Sequence, residues 1–160
     1  MRRNEKESLY GWIGFPRVRD KFLDRFEEKV TQGEVEEAVA LLNAMPGVEI
    51  REFMVGPQIV ERRHLWVLAT GSGAAGNPRE LAGHLDDALA GMNADYRAFR
   101  AQGRIKPPLV LKVSEEDIYL WSRDVRGKLG GQSKIPHVDP TLEGELVESL
   151  AGYCRNRDRF

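Results

Sequence analysis

The chain has a single cysteine, Cys154, so no disulfide can form within it, and a reducing, cytoplasmic setting is expected. It has no long hydrophobic run: nothing approaches the roughly 20 apolar residues of a membrane helix. It has no excess of either charge. Its 24 basic and 25 acidic residues leave a net charge of −1, so there is no bulk electrostatic reason to expect nucleic acid or an anionic membrane as partner. The opening Met1-Arg2-Arg3-Asn4-Glu5-Lys6-Glu7 has no apolar run behind it, which speaks against a secretory signal. The three histidines, His64, His84 and His137, show no metal-ligand spacing with each other or with Cys154. They read as surface or half-buried side chains, and no metal site is expected. No Ser/His/Asp or Cys/His grouping can be argued from spacing.

What is present is the material of one domain. A chain of 160 residues with 41% hydrophobic residues can bury a core. Residues 1–24 read as an N-terminal, hinge-like segment and 25–155 as the main domain. Phe22, Leu23, Phe26 and Val30 fit either a helix face or a strand and turn. Val35, Ala38, Val39, Leu42 and Met45 have helical spacing, stopped by Pro46-Gly47. Val48 to Val55 reads as a strand ended by Gly56-Pro57, and His64 to Thr70 as a central strand. Asn77-Pro78 opens a helix expected to run unbroken to Ala101. Leu109 to Val113 is a third strand, and Ser114 to Asp117 is a capping box. Asp139-Pro140 is expected to start a last helix, with Leu142, Leu146, Leu150 and Tyr153 on one face. The order predicts an α+β fold: a small mixed sheet of about three or more strands, packed with helices.

Two glycine-rich loops invite functional readings. Gly71-Ser72-Gly73-Ala74-Ala75-Gly76 matches G-x-G-x-x-G between a strand and a helix. Its helix starts too late, and no strand-end acid follows at the right distance, so a connecting loop is the preferred reading over a dinucleotide site. Asp86 and Asp87 occupy adjacent helix positions that point apart and read as a solvated face. Gly127-Lys128-Leu129-Gly130-Gly131-Gln132-Ser133-Lys134-Ile135-Pro136 is richer. Its glycines permit close approach of the backbone, and its lysines carry mobile positive charge toward an anion.

The surroundings of this loop form a pattern. Leu85-Asp86, Leu89, Asn93 and Asp95-Tyr96, then Gly127, Gln132, Lys134 and Pro136, match "L-D-x-x-L-x-x-x-N-x-D-Y" and "G-x-x-x-x-Q-x-K-x-P-R". Arg100 and Pro108 fall at similar spacing, and Glu27 to Gln32 is a weaker match to "G-E-K-x-S/T-E". Over about residues 25 to 150 the chain thus resembles the C-terminal lobe of the Gretchen Hagen 3 acyl-acid amido synthetases, within the adenylate-forming ligases. The resemblance implies the fold of that lobe, which rotates between two half-reactions. It implies ATP and Mg²⁺ used only through a partner N-terminal adenylating lobe or subunit, and none bound by this chain alone. It also implies Lys134 as the lysine that stabilises charge during adenylation. Lys29 becomes a nucleotide-proximal hinge lysine, Gly130 and Gly131 shape the loop, and Gln132 holds it.

The pattern is departed from at three places: Glu27 stands for glycine, Gln32 for an acid, and His137 for arginine. No phosphate loop is recognisable in the 160 residues, so the chain is not expected to catalyse alone. A non-catalytic binding or assembly module that kept the fold is the alternative, with a second copy of the chain as a further candidate partner. The aromatic start, Tyr10, Trp12 and Phe15, is read as completing the core.

Overall fold

The computed structural model describes residues 22–127 and 134–157. A short hairpin comes first: strands β1 (Phe22–Leu23) and β2 (Val30–Thr31) pair antiparallel. The segment that fits helix or strand is thus a strand and turn, and the hairpin straddles residue 24. Helix α1 (Gln32–Asn43) follows, then strands β3 (Ile50–Gln58) and β4 (Arg63–Thr70). Helices α2 (Pro78–Met92) and α3 (Ala94–Ala101) lead to strand β5 (Leu109–Val113) and then to helices α4 (Glu115–Asp124) and α5 (Glu145–Arg157).

The main sheet has the order β3-β4-β5, with β3 antiparallel and β5 parallel to β4. The fold is α+β with a mixed sheet, as its pattern of elements predicts. β4 is central and buried on both faces, which explains its nearly continuous apolar run. Its side chains alternate between two cores. Trp66 and Leu68 join Phe53, Val55 and the inner faces of α1, α2 and α3 in one cluster. Leu65, Val67 and Ala69 join Met54, Trp121, Leu150 and Cys154 in the other, beneath α4 and α5. The architecture is therefore three layers, with helices on both sides of the sheet.

The helix starts are the most legible local features. Thr31, Asn77 and Ser114 each cap a helix, and Glu34, Glu80 and Asp117 complete the reciprocal capping boxes. Three expectations fail. β3 runs through Gly56-Pro57 to Gln58 instead of ending there. Val55 directs its N–H and C=O outward, toward His137 and Asp139. Pro57, two residues on, therefore aims its missing donor at the same outer edge, where no ladder bond is lost. The long second helix breaks at Asn93, which has φ −130° and ψ 112° and is both the end of α2 and the cap of α3. The last helix begins at Glu145, not at Asp139-Pro140, and Leu142 is exposed. Asp139 is buried and accepts from Thr141 and, across the turn, from the backbone N–H of Val147. It organises the entry to α5 from a distance.

Candidate functional site

The turn between β1 and β2 carries Glu27, Glu28 and Lys29, and each residue has a different job. Glu27 adopts φ 68°, the left-handed region that glycine enters without a side-chain clash. The hinge pattern has glycine at this place. Glu28 is fully buried: its Oε1 accepts from the N–H of Phe26, and its Oε2 lies 2.6 Å from Nε2 of His64 on β4. Lys29, at φ 51°, donates its backbone N–H to Asp24, while its side chain is exposed and has no partner among the described residues. His64 is 1% exposed, a correction to the surface or half-buried reading. Spacing has no means of showing a pairing between residues 36 positions apart.

The helix pattern is explained by packing and hydrogen bonding. Asn93 caps α3 through its Oδ1, while its Nδ2 donates to the Lys29 carbonyl and to Glu34. It thereby ties the α2–α3 break to the β1–β2 turn and to α1. Asp86 accepts a two-pronged bond from Arg100, both prongs at 2.8 Å, and a third from the Tyr96 hydroxyl at 2.7 Å. The Tyr96 ring stacks on His64 with centroids 5.5 Å apart. Asp86 is thus not a solvated face. Burial pushes its carboxyl up, but the bonds from Arg100 and then Tyr96 outweigh this and hold it below the ordinary range. Burial, and next the bond to Asp86, pushes the Tyr96 phenol up. Leu85 and Leu89 are buried in the first core.

The lysine loop is placed by its two ends. Gly127 has φ 72°, a left-handed turn after α4. Lys128 to Ser133, including Gly130, Gly131 and Gln132, lie outside the described residues. Lys134 is exposed, its carbonyl is 3.5 Å from Arg126, and its ammonium has no partner among the described residues. Ile135 is buried in the second core and Val138 in the first, so the chain crosses the sheet edge between them. At the crossing the Val55 N–H donates to the His137 carbonyl and the Asp139 N–H to the Val55 carbonyl. His137 stacks on Phe53, 4.1 Å between centroids, and meets Glu36 at 2.7 Å.

Lys29 and Lys134 are therefore not brought together. The turn of Lys29 is fastened to the α2–α3 side of the sheet, and Lys134 precedes a residue buried under α4 and α5. Neither lines either of two clefts formed by the described residues. One, of about 990 Å³, lies between α2 and the start of β5, with Arg63, Arg79 and Lys106 along it. The other, of about 430 Å³, lies between the first hairpin and residues 139–142.

The loop at 71–76 has the wrong polarity for phosphates. The Ala74 and Ala75 N–H groups are consumed by the Gly71 and Gly47 carbonyls. The Lys112 ammonium donates to the carbonyls of Ala74 and Gly76, and the Glu49 carboxylate presses against Gly71. Free amides would have to face an anion there. Among the described residues no cluster of three or more His, Cys, Asp or Glu suits a metal ion, and no helix is long and apolar enough to cross a membrane.

Fold and side chains define an α+β domain with a fastened β1–β2 turn, a fastened loop root and, on each, one lysine without a partner among the described residues. The chain belongs to the GH3 family: the GH3 family C-terminal domain matches residues 31–141, from the cap of α1 to the turn before α5. No curated protein matches the chain.

Proposed function

We propose that this chain is the C-terminal lobe of an ATP-dependent, acyl-adenylate-forming amido synthetase, acting on a nucleotide site carried by a partner lobe or subunit. The supporting observation is what remains once structural work is subtracted from the family-like pattern. Glu27 makes a turn, Glu28 pairs in the core, and Thr31 caps a helix. Asp86, Asn93 and Tyr96 hold α2 and α3 together, and Gly127 turns the chain. Among the placed positions of the three patterns, Lys29 and Lys134 are the cations with no partner among the described residues; Asp95, also without one, is an acid in the first turn of α3. A solvated lysine on an anchored root suits delivery of charge to an anion outside the domain.

In this reading Lys134 stabilises charge on the α-phosphate as the acyl-adenylate forms. ATP and Mg²⁺ are held by the partner. Gly130 and Gly131 let the loop backbone approach closely, and Gln132 holds the loop. The turn of Lys29 is tied to the side of the first core and the residue after Lys134 to the second, which fits a lobe that offers one lysine at a time and rotates between half-reactions. The reading places the protein in the cytoplasm, where ATP is available.

ATP–pyrophosphate exchange tests this. The chain alone should be inactive, a cognate N-terminal lobe should restore exchange, and Lys134→Ala should abolish it. Exchange indifferent to Lys134 would sink the mechanism. One observation favours a second reading, a binding module without chemistry. Glu27 carries left-handed strain that glycine would relieve, so this turn is not optimised for the hinge pattern. For that reading, a tight complex with the partner lobe and no exchange would be found.

A further inference from the structure

We infer that His137 is a positioning residue for the lysine loop: held between Glu36 and Glu52 and stacked on Phe53, it clamps the segment after Lys134 to the sheet edge, more firmly when protonated.

The geometry carries this. Nδ1 of His137 is 2.7 Å from Oε2 of Glu36 on α1, and Nε2 is 3.6 Å from Oε1 of Glu52 on β3. A neutral imidazole can only donate its hydrogen bond to Glu36, whereas the imidazolium also carries charge that pairs with Glu52 at ion-pair distance. The ring is 27% exposed and lies nearly parallel to Phe53, at 15°, so its plane is set by packing. Gln32 donates to the same Glu36 oxygen, which orients that carboxylate. Among the described residues no other charged side chain pairs with the imidazole. The Glu36 carboxyl is held below its ordinary range, chiefly by the bond from His137, against a smaller opposing effect of burial. It therefore stays ionised throughout the range in which a histidine gains its proton.

The clamp lies where Lys134 needs it. Lys134 has no side-chain partner, and its carbonyl contact to Arg126 is long at 3.5 Å. The next five residues set its place: Ile135 is seated in one core and Val138 in the other, and the strand edge at Val55 holds the backbone of His137 and Asp139. Loosening His137 frees the backbone between the two seated residues, Ile135 and Val138, without unfolding either core.

The consequence for catalysis rests on the amido synthetase reading; the clamp itself does not. Amide hydrogen exchange at Val55 and Asp139, corrected for intrinsic rates, is measured across the titration of His137 followed by NMR. Protection should rise about fivefold as His137 gains its proton, the ceiling expected for a half-exposed ion pair. His137→Arg should be protected at every pH. His137→Gln and Glu52→Gln should lose the pH step while keeping the fold. A flat profile in the wild type, or an unchanged step in Glu52→Gln, overturns the clamp. With the N-terminal lobe added, pyrophosphate exchange should track the same titration, and His137→Arg should flatten it. If the amides respond and exchange does not, positioning fails while the synthetase reading stands. If Lys134→Ala leaves exchange intact, that reading fails while the amide result still judges the clamp.

Discussion

Glu28 and His64 meet at 2.6 Å with both side chains fully buried, and this contact fastens the β1–β2 turn to the central strand. Removing one partner leaves a polar group in the core with nothing to bond. Glu28→Ala should destabilise the domain by about 3 kcal/mol, the cost of breaking a buried pair. Replacing both residues with leucine should cost less than Glu28→Ala alone. Denaturant unfolding of the two variants checks the order, and a milder effect of Glu28→Ala would contradict it.

Glu27→Gly should stabilise the protein slightly. Removing the Cβ penalty of this left-handed backbone recovers about 1–2 kcal/mol. The added freedom of glycine in the unfolded chain costs about 0.5–1 kcal/mol. The exposed bridge to Arg104 contributes little. The net gain should be about 0.5 kcal/mol, and a fall in the melting midpoint would refute it.

The Asp86 network has a pH signature. The carboxyl of Asp86 is lowered in the folded state, so its contribution is complete above the unfolded value of about 4 and is lost as pH falls through the folded one. Asp86→Asn should lose about 2 kcal/mol at neutral pH, the weight of a charge-assisted, two-pronged bond. It should also flatten the acid limb. The phenol of Tyr96 is raised, so its share is present below about pH 10 and fades as pH rises through the folded value. Tyr96→Phe should remove that alkaline loss. Stability measured from about pH 2 to 11 separates the two effects.

Gly56 is fixed by contact, not by backbone shape. A Cβ there would lie 2.7 Å from Cγ1 of Val147 and 2.8 Å from Cβ of Asp139. Both neighbours are buried, and Asp139 is held by three hydrogen bonds. Gly56→Ala should therefore cost about 2 kcal/mol through overpacking. Lys134→Ala touches nothing and should leave unfolding within about 0.5 kcal/mol of wild type. That insensitivity makes any loss of exchange in Lys134→Ala a statement about chemistry. Calorimetry of both variants is the check.

Much of this fold is legible in the residues alone. Capping residues act over about three residues, so Asn77 and Ser114 declare their helices locally. The unbroken apolar run of β4 marks a central strand, and glycine-rich, charged segments mark loops. The family pattern is also legible, because it is written in residue types at set spacings.

The chain alone therefore determined the α+β class, two helix starts, at Asn77 and Ser114, the order of the main strands along the sequence, and the two lysines that a family-like pattern singles out. Tertiary structure decided what those patterns are for. It turned Asp86 from a surface acid into the centre of a network, and His64 from a surface histidine into the partner of Glu28. It broke one helix at Asn93, because that side chain binds both Lys29 and Glu34 as well as its own cap. It also tied the turn of Lys29 to the side of the first core and the residue after Lys134 to the second. The physical reason is the same throughout: caps and periodicity depend on neighbours along the chain, whereas a buried polar group depends on partners that only packing supplies.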